Sequence, residues 1–155
     1  PSDWDSQPLP NSYTTYRLYP GGPEYTVATL SGSLPSGTYE PDPLTNPVGL
    51  FKRNGNLTVD DSTTIQGTLI VKDKLTIDGT SIAVAAADLS PLDGTTDPIR
   101  LPSILAKSLH VDTGTSATMT GVVALWDEFT VLEQDQNDTT ILDFNGVLIT
   151  PKFEM

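Results

Sequence analysis

Residues 54–84 read NGNLTVDDSTTIQGTLIVKDKLTIDGTSIAV, and within them Gly55, Asp61, Gly67, Asp73 and Gly79 recur every six positions. Between these corners one alternating pair is mostly apolar: Leu57 and Val59, Thr63 and Ile65, Leu69 and Val71, Leu75 and Ile77, Ser81 and Ala83. The intervening Thr58, Asp60, Thr64, Gln66, Ile70, Lys72, Thr76 and Asp78 are largely polar, until Ile82 and Val84. A period of two with one apolar side is the pattern of a half-buried strand. A hairpin meander needs two-residue reversing turns, which one Gly or Asp cannot supply, whereas a bend of about 120° is open to a single corner residue. Three such strands then close a triangular coil of about 18 residues, and stacked coils give a parallel solenoid with rungs roughly 4.8 Å apart. The expected fold is all-β, a short parallel β-helix with Leu57 on Leu75 and Val59 on Ile77.

Downstream, residues 88–102 (DLSPLDGTTDPIRLP) carry three prolines and are expected to leave the coil as a loop, with a brief turn of helix at PSILAK, residues 102–107. The alternation returns at Leu109 and Val111, slips near Gly114, and continues through Ala117 and Met119, Val123 and Leu125, Phe129 and Val131. A second, acidic excursion at 133–140 precedes Leu142 and Phe144, then Val147 and Ile149 as the last inward pairs. Four or five coils fit between Gly55 and Met155.

Upstream, residues 1–54 hold most of the 13 prolines, which exclude long helices and central strands. Tyr13 to Leu34 reads as two short strands around the turn Pro20-Gly21-Gly22-Pro23. We expect residues 1–54 to be a Pro- and Tyr-rich cap or lateral layer on the solenoid of 55–155, the two forming one folded unit.

With 8 basic against 20 acidic side chains, the net charge of -12 disfavours nucleic acid and anionic lipid and favours divalent cations. The absence of cysteine excludes disulfides, thiolate zinc sites and cysteine nucleophiles. No apolar run approaches the roughly 18 residues of a membrane-spanning helix. The chain begins at Pro1 without methionine, and the expectation is that a signal or anchor precedes it in the parent protein.

The segments YRLYPGGPEYTVATLSG (16–32), GNLTVDDSTTIQGTLIVKDKLTIDGT (55–80) and LPSILAK (101–107) resemble secreted, pilin-associated β-helix proteins of planctomycete-type bacteria. The six-residue pattern is shared with bactofilin-type and other right-handed β-helices. The resemblance implies a right-handed, polymer-like β-helix at the cell surface, in a family whose members carry an N-terminal prepilin-like anchor. It supplies no catalytic residues.

No nucleophile elbow, HExxH helix, Walker loop or dinucleotide fingerprint occurs. His110 is the sole histidine and alternates with Leu109 and Val111, so it is expected on the outer face as an ordinary surface side chain. Asp60 and Asp78 are one coil apart, close enough to hold calcium between them, or simply solvated. Asp88, Asp93 and Asp97, in the first excursion, are a second candidate carboxylate cluster, without the DxDxDG calcium pattern, or simply solvated. Trp4, Tyr13, Tyr16, Tyr19, Tyr25 and Tyr39 gather in the N-terminal region, where they serve either a sugar-binding surface or the fastening of the cap. Thr58 over Thr76 is too short a threonine ladder for ice binding. Asn56-Leu-Thr58 and Asn137-Asp-Thr139 fit the glycosylation sequon, a weak signal in a bacterial chain.

The sequence therefore points to a non-enzymatic extracellular or cell-surface structural and assembly module, associated through the resemblance with pilus-like or surface polymers. Its expected partners are further copies of itself at the solenoid ends or other surface proteins. It needs no cofactor, calcium being the one candidate ion. The alternative is a carbohydrate-binding domain, with or without calcium. A polysaccharide-active enzyme ranks below both, because few coils make a short groove and eight basic residues offer little to an anionic substrate.

Overall fold

The computed structural model describes residues 14–89, 99–132 and 139–154. Among the described residues there is no helix, and so none long and apolar enough to cross a membrane. β1 (Thr15–Tyr16) and β2 (Tyr25–Thr26) pair antiparallel around the turn in which the Gly22 amide donates to the Tyr19 carbonyl, so the expected N-terminal hairpin forms. Gly22 lies under the Tyr19 ring, where a Cβ would come within 2.9 Å of it.

All the larger strands belong to one 12-stranded sheet whose pairings are parallel. They comprise β3 (Ala28–Thr29), β4 (Ser33–Leu34), β5 (Gly37–Tyr39), β6 (Leu50–Arg53), β7 (Leu57–Val59), β8 (Thr63–Gln66), β9 (Thr68–Ile77) and β10 (Ile82–Ala85). After a two-stranded antiparallel ladder of β11 (Asp88–Leu89) with β12 (Ile99–Arg100), they continue as β13 (Ile104–Val111), β14 (Ser116–Val131), β15 (Ile141–Ile149) and β16 (Lys152–Glu154).

The registers fall into three columns. Column one stacks Ala28, Phe51, Leu69, Ile104, Val123 and Leu148. Column two stacks Ser33, Thr58, Thr76, His110, Thr130 and Glu154. Column three stacks Thr38, Thr64, Ala83, Thr118 and Asp143. The chain visits the columns in turn, so each level of the stack is one pass through them, and the sheet curls around a single core. That core joins Leu69, Ile104 and Val123 with Leu57, Leu75, Leu109 and Phe129, and with Ile65, Val84 and Met119. Leu57 lies on Leu75 and Val59 on Ile77, as the spacing predicts.

At two points the passage from column three back to column one leaves no room for side chains. Gly67 (φ +144) and Gly49 (φ +63) meet backbone to backbone, and a Cβ on Gly67 would overlap the Gly49 carbonyl. Gly121 and Gly146 repeat the contact further down the stack.

Three expectations are corrected. Ser81 and Ala83 do not face inward; Ile82 and Val84 do, because the connection 78–81 is one residue longer than 60–62, on which it stacks, so that Val59 meets Ile77 but Ile65 meets Val84. Residues 102–107 form no helical turn: β13 begins at Ile104, drawn into strand by ladders to β9 and β14 on its two sides and by burial of Ile104 and Ala106. Val147 and Ile149 are each 55% exposed, while Leu148 turns inward. Gly146 stacks on Gly121 at the corner, and the register then places Leu148 over the buried Val123.

The sheet starts at Ala28, so residues 28–53 supply its first level and the first strand of its second, beside the hairpin of β1 and β2. Of the two expected excursions, 90–98 and 133–138 lie outside the described residues. The ends of the first are closed by β11 and β12 and an Arg100–Asp88 ion pair.

Candidate functional site

Tyr16 and Tyr25 stack across the hairpin with ring centroids 5.6 Å apart. The Tyr16 hydroxyl donates to Asn46 Oδ1 at 3.0 Å and accepts from the Val48 amide at 3.3 Å. Burial raises its pKa above the ordinary phenol value. Asn46 is itself buried and bonds both backbone groups of Leu50, so this tyrosine ties the hairpin to the start of β6.

Tyr39 is elsewhere: it packs edge-on against Phe51 at 6.3 Å, and its hydroxyl donates to the Pro35 carbonyl. Tyr19 keeps 51% of its surface exposed. The four tyrosines thus divide among a hairpin pair, a core contact and one exposed ring, and share no platform. Trp4 and Tyr13 lie outside the described residues.

The aspartates form a ladder. The Asp78 amide donates to the Val59 carbonyl and the Asp112 amide to the Ile77 carbonyl, so Asp60, Asp78 and Asp112 occupy successive levels at the exit of column two. Asp60 accepts a 2.7 Å bond from Ser33 Oγ. The adjacent Asp61 caps the next turn by accepting from the backbone amide and hydroxyl of Thr80. A Cβ at Gly79 (φ +130) would strike the Asp61 carboxylate, so a glycine is needed there. Among the described residues no group of three or more acidic or histidine side chains converges as a metal site. Asp93 and Asp97 lie outside the described residues. Asn56, the first of the sequons, is exposed and accepts the Lys74 amide through Oδ1.

His110 faces outward as expected and meets Glu128 at 3.4 Å. Lys152 bonds Glu128 at 3.3 Å and Glu154 at 2.7 Å, fastening β16 to β14. The Glu128 carboxyl is held below its ordinary value, first by the Lys152 hydrogen bond and secondarily by His110. Lys152 is raised, first by Glu154 and then by Glu128. The sequence carries no local signal for this cluster, because its members meet only across levels.

The last level is the least covered part of the sheet. Among the described residues β15 and β16 pair on one side only, with β14. Ile141, Val147 and Ile149 are each 55% exposed there, and Phe153 48%. Leu142 and Phe144 are only partly buried against the core, and Phe153 stacks on Phe129 at 5.1 Å.

No protein family, no curated protein and no solved structure matches the chain.

Proposed function

We propose that the curled sheet is a short right-handed parallel β-solenoid that serves, without catalysis, as a structural module outside a bacterial cell and assembles end to end through its last level. One observation carries the reading: among the described residues β15 and β16 offer an open strand edge together with the half-exposed Ile141, Val147, Ile149 and Phe153. An open, apolar parallel edge is a template for another chain, since its free N–H and C=O groups and its apolar side chains are satisfied together when a strand adds. At the other end, among the described residues, β3, β4 and β5 each pair on one side, with β6, β7 and β8. A head-to-tail contact between unlike ends does not close, and so builds an open stack. The three-column register and the resemblance of residues 16–32, 55–80 and 101–107 support the solenoid and the extracellular setting.

Carbohydrate binding has less support, because Tyr16, Tyr25 and Tyr39 are engaged in contacts within the chain. Light scattering across a concentration series tests assembly: the mass should climb past that of a dimer. Val147→Lys with Ile149→Lys, at positions already exposed, should stop the climb. A wild-type mass that never exceeds a dimer's refutes the proposal.

A further inference from the structure

The outward row of column two consists of small and polar side chains: Ser33, Thr58, Thr76, His110 and Thr130, ending at Glu154. At its middle levels the two long borders carry opposite charge, while Asp127 and Glu128 stand on the entry side at the Thr130 level. On the exit side Asp60, Asp78 and Asp112 climb one level at a time. On the entry side the exposed Lys72, Lys74 and Lys107 stand at two of the same levels, with Asp73 between the first two. Among the described residues none of these three lysines and none of the three ladder aspartates belongs to an ion pair. A chain with only 8 basic residues thus spends three on one border of one face.

We propose that this face is the contact surface of a side-by-side, parallel dimer of the chain, with each aspartate ladder lying against the lysine border of the other copy. Symmetry selects the arrangement. A two-fold axis running along the columns keeps every level at its own height and exchanges the borders, so acid meets base twice. An axis across the columns would set acid against acid and base against base. The charges also match in pitch, because both borders ride on one sheet with strands roughly 4.8 Å apart. Threonine in the central row lets two sheets approach to about 10 Å, the ordinary spacing of facing sheets.

Six levels at that pitch, with about five residues across, give roughly 500 Å² per copy, below the about 800 Å² of a standard interface. The dimer is therefore weak and concentration-dependent. Its exposed ion pairs also make it salt-sensitive. The charged borders lie on the levels before the last and the open strand edge faces along the stack, so this dimer and end-to-end assembly succeed or fail independently.

The test uses the full chain carrying Val147→Lys and Ile149→Lys, which removes end-to-end growth. Sedimentation equilibrium should show a monomer–dimer equilibrium weakened by salt. Lys72→Glu with Lys74→Glu should weaken dimerisation about tenfold or more, since attraction becomes repulsion at both symmetric borders although each exposed pair is worth little alone. Asp60→Lys with Asp78→Lys should do the same, and an equimolar mixture of the two reversed chains should recover a heterodimer. Circular dichroism matching the parent confirms that each reversed chain is folded.

For orientation, Thr58→Cys and Thr130→Cys, each in this cysteine-free chain, should both cross-link to themselves with a thiol reagent spanning about 10 Å. A parent that stays monomeric to millimolar concentration overturns the proposal, as do reversed chains that dimerise like it or a mixture that stays monomeric. Cross-linking at only one of the two cysteine positions, or at neither, overturns the parallel arrangement.

Discussion

Replacing Ile77 by alanine probes the alternation on which both proposed contact surfaces depend. Ile77 has no exposed surface and lies in register between Val59 and Val111. The substitution removes three buried carbons, worth about 2.4 kcal/mol at roughly 0.8 kcal/mol each. A void of about 60–80 Å³ adds roughly 1.5–2 kcal/mol at about 24 cal/mol per Å³ if the walls stay in place, for a total of about 2.4–4.4 kcal/mol. The walls are backbone-paired strands on both sides, which favours the upper half of the range.

Thr76→Ala, one residue earlier, empties nothing. Its side chain is on the outer row, and the cost should stay under about 1 kcal/mol, the span of strand propensity. Urea unfolding followed by circular dichroism measures both, with an unchanged slope confirming that the same surface is exposed on unfolding. Equal losses at positions 76 and 77 would refute the inward and outward assignment, and with it both proposed interfaces.

Thr68 is 3% exposed and its hydroxyl has no hydrogen-bond partner among the described residues, so Thr68→Val should raise stability by about 1 kcal/mol in the same urea assay. Gly67→Ala should destabilise strongly, by roughly 2 kcal/mol or more, because the new Cβ meets the Gly49 backbone at a φ of +144 that L-residues avoid; a neutral effect would contradict the corner packing. Attachment of β16 should depend on pH. The depressed Glu128 pKa contributes stability that is present above the ordinary carboxylate value of 4.5 and lost as pH falls through the lower folded value. The raised Lys152 pKa contributes stability that is present below the ordinary value of 10.5 and lost as pH rises through the higher folded value. The Phe153 ring resonances should therefore be native-like at neutral pH and shift at both extremes, and Lys152→Met should remove both shifts.

The sequence alone determined the all-β class, the hairpin around Pro20–Pro23, the stacking of residues 57–59 on 75–77 and the outward direction of His110. Each comes from local pattern: period-two burial over uninterrupted stretches, or turn residues bracketed by strand formers. Tertiary structure decided which side chains turn inward beyond each corner. In the connection 78–81 one extra residue moved burial from Ala83 to Val84, and at Gly146 the stacking on Gly121 turned Leu148 inward and left Val147 and Ile149 outside. Residues 104–107 became strand only because ladders waited on both sides. The offset between stacked residues also changes, from 18 for Leu57 on Leu75 to 34 for Leu75 on Leu109, so no fixed period could bring Asp112 beneath Asp78 or Lys152 beside Glu128. A parallel ladder fixes register at the strands and leaves the length of each connection free. The charged borders of column two therefore exist only once the levels are stacked.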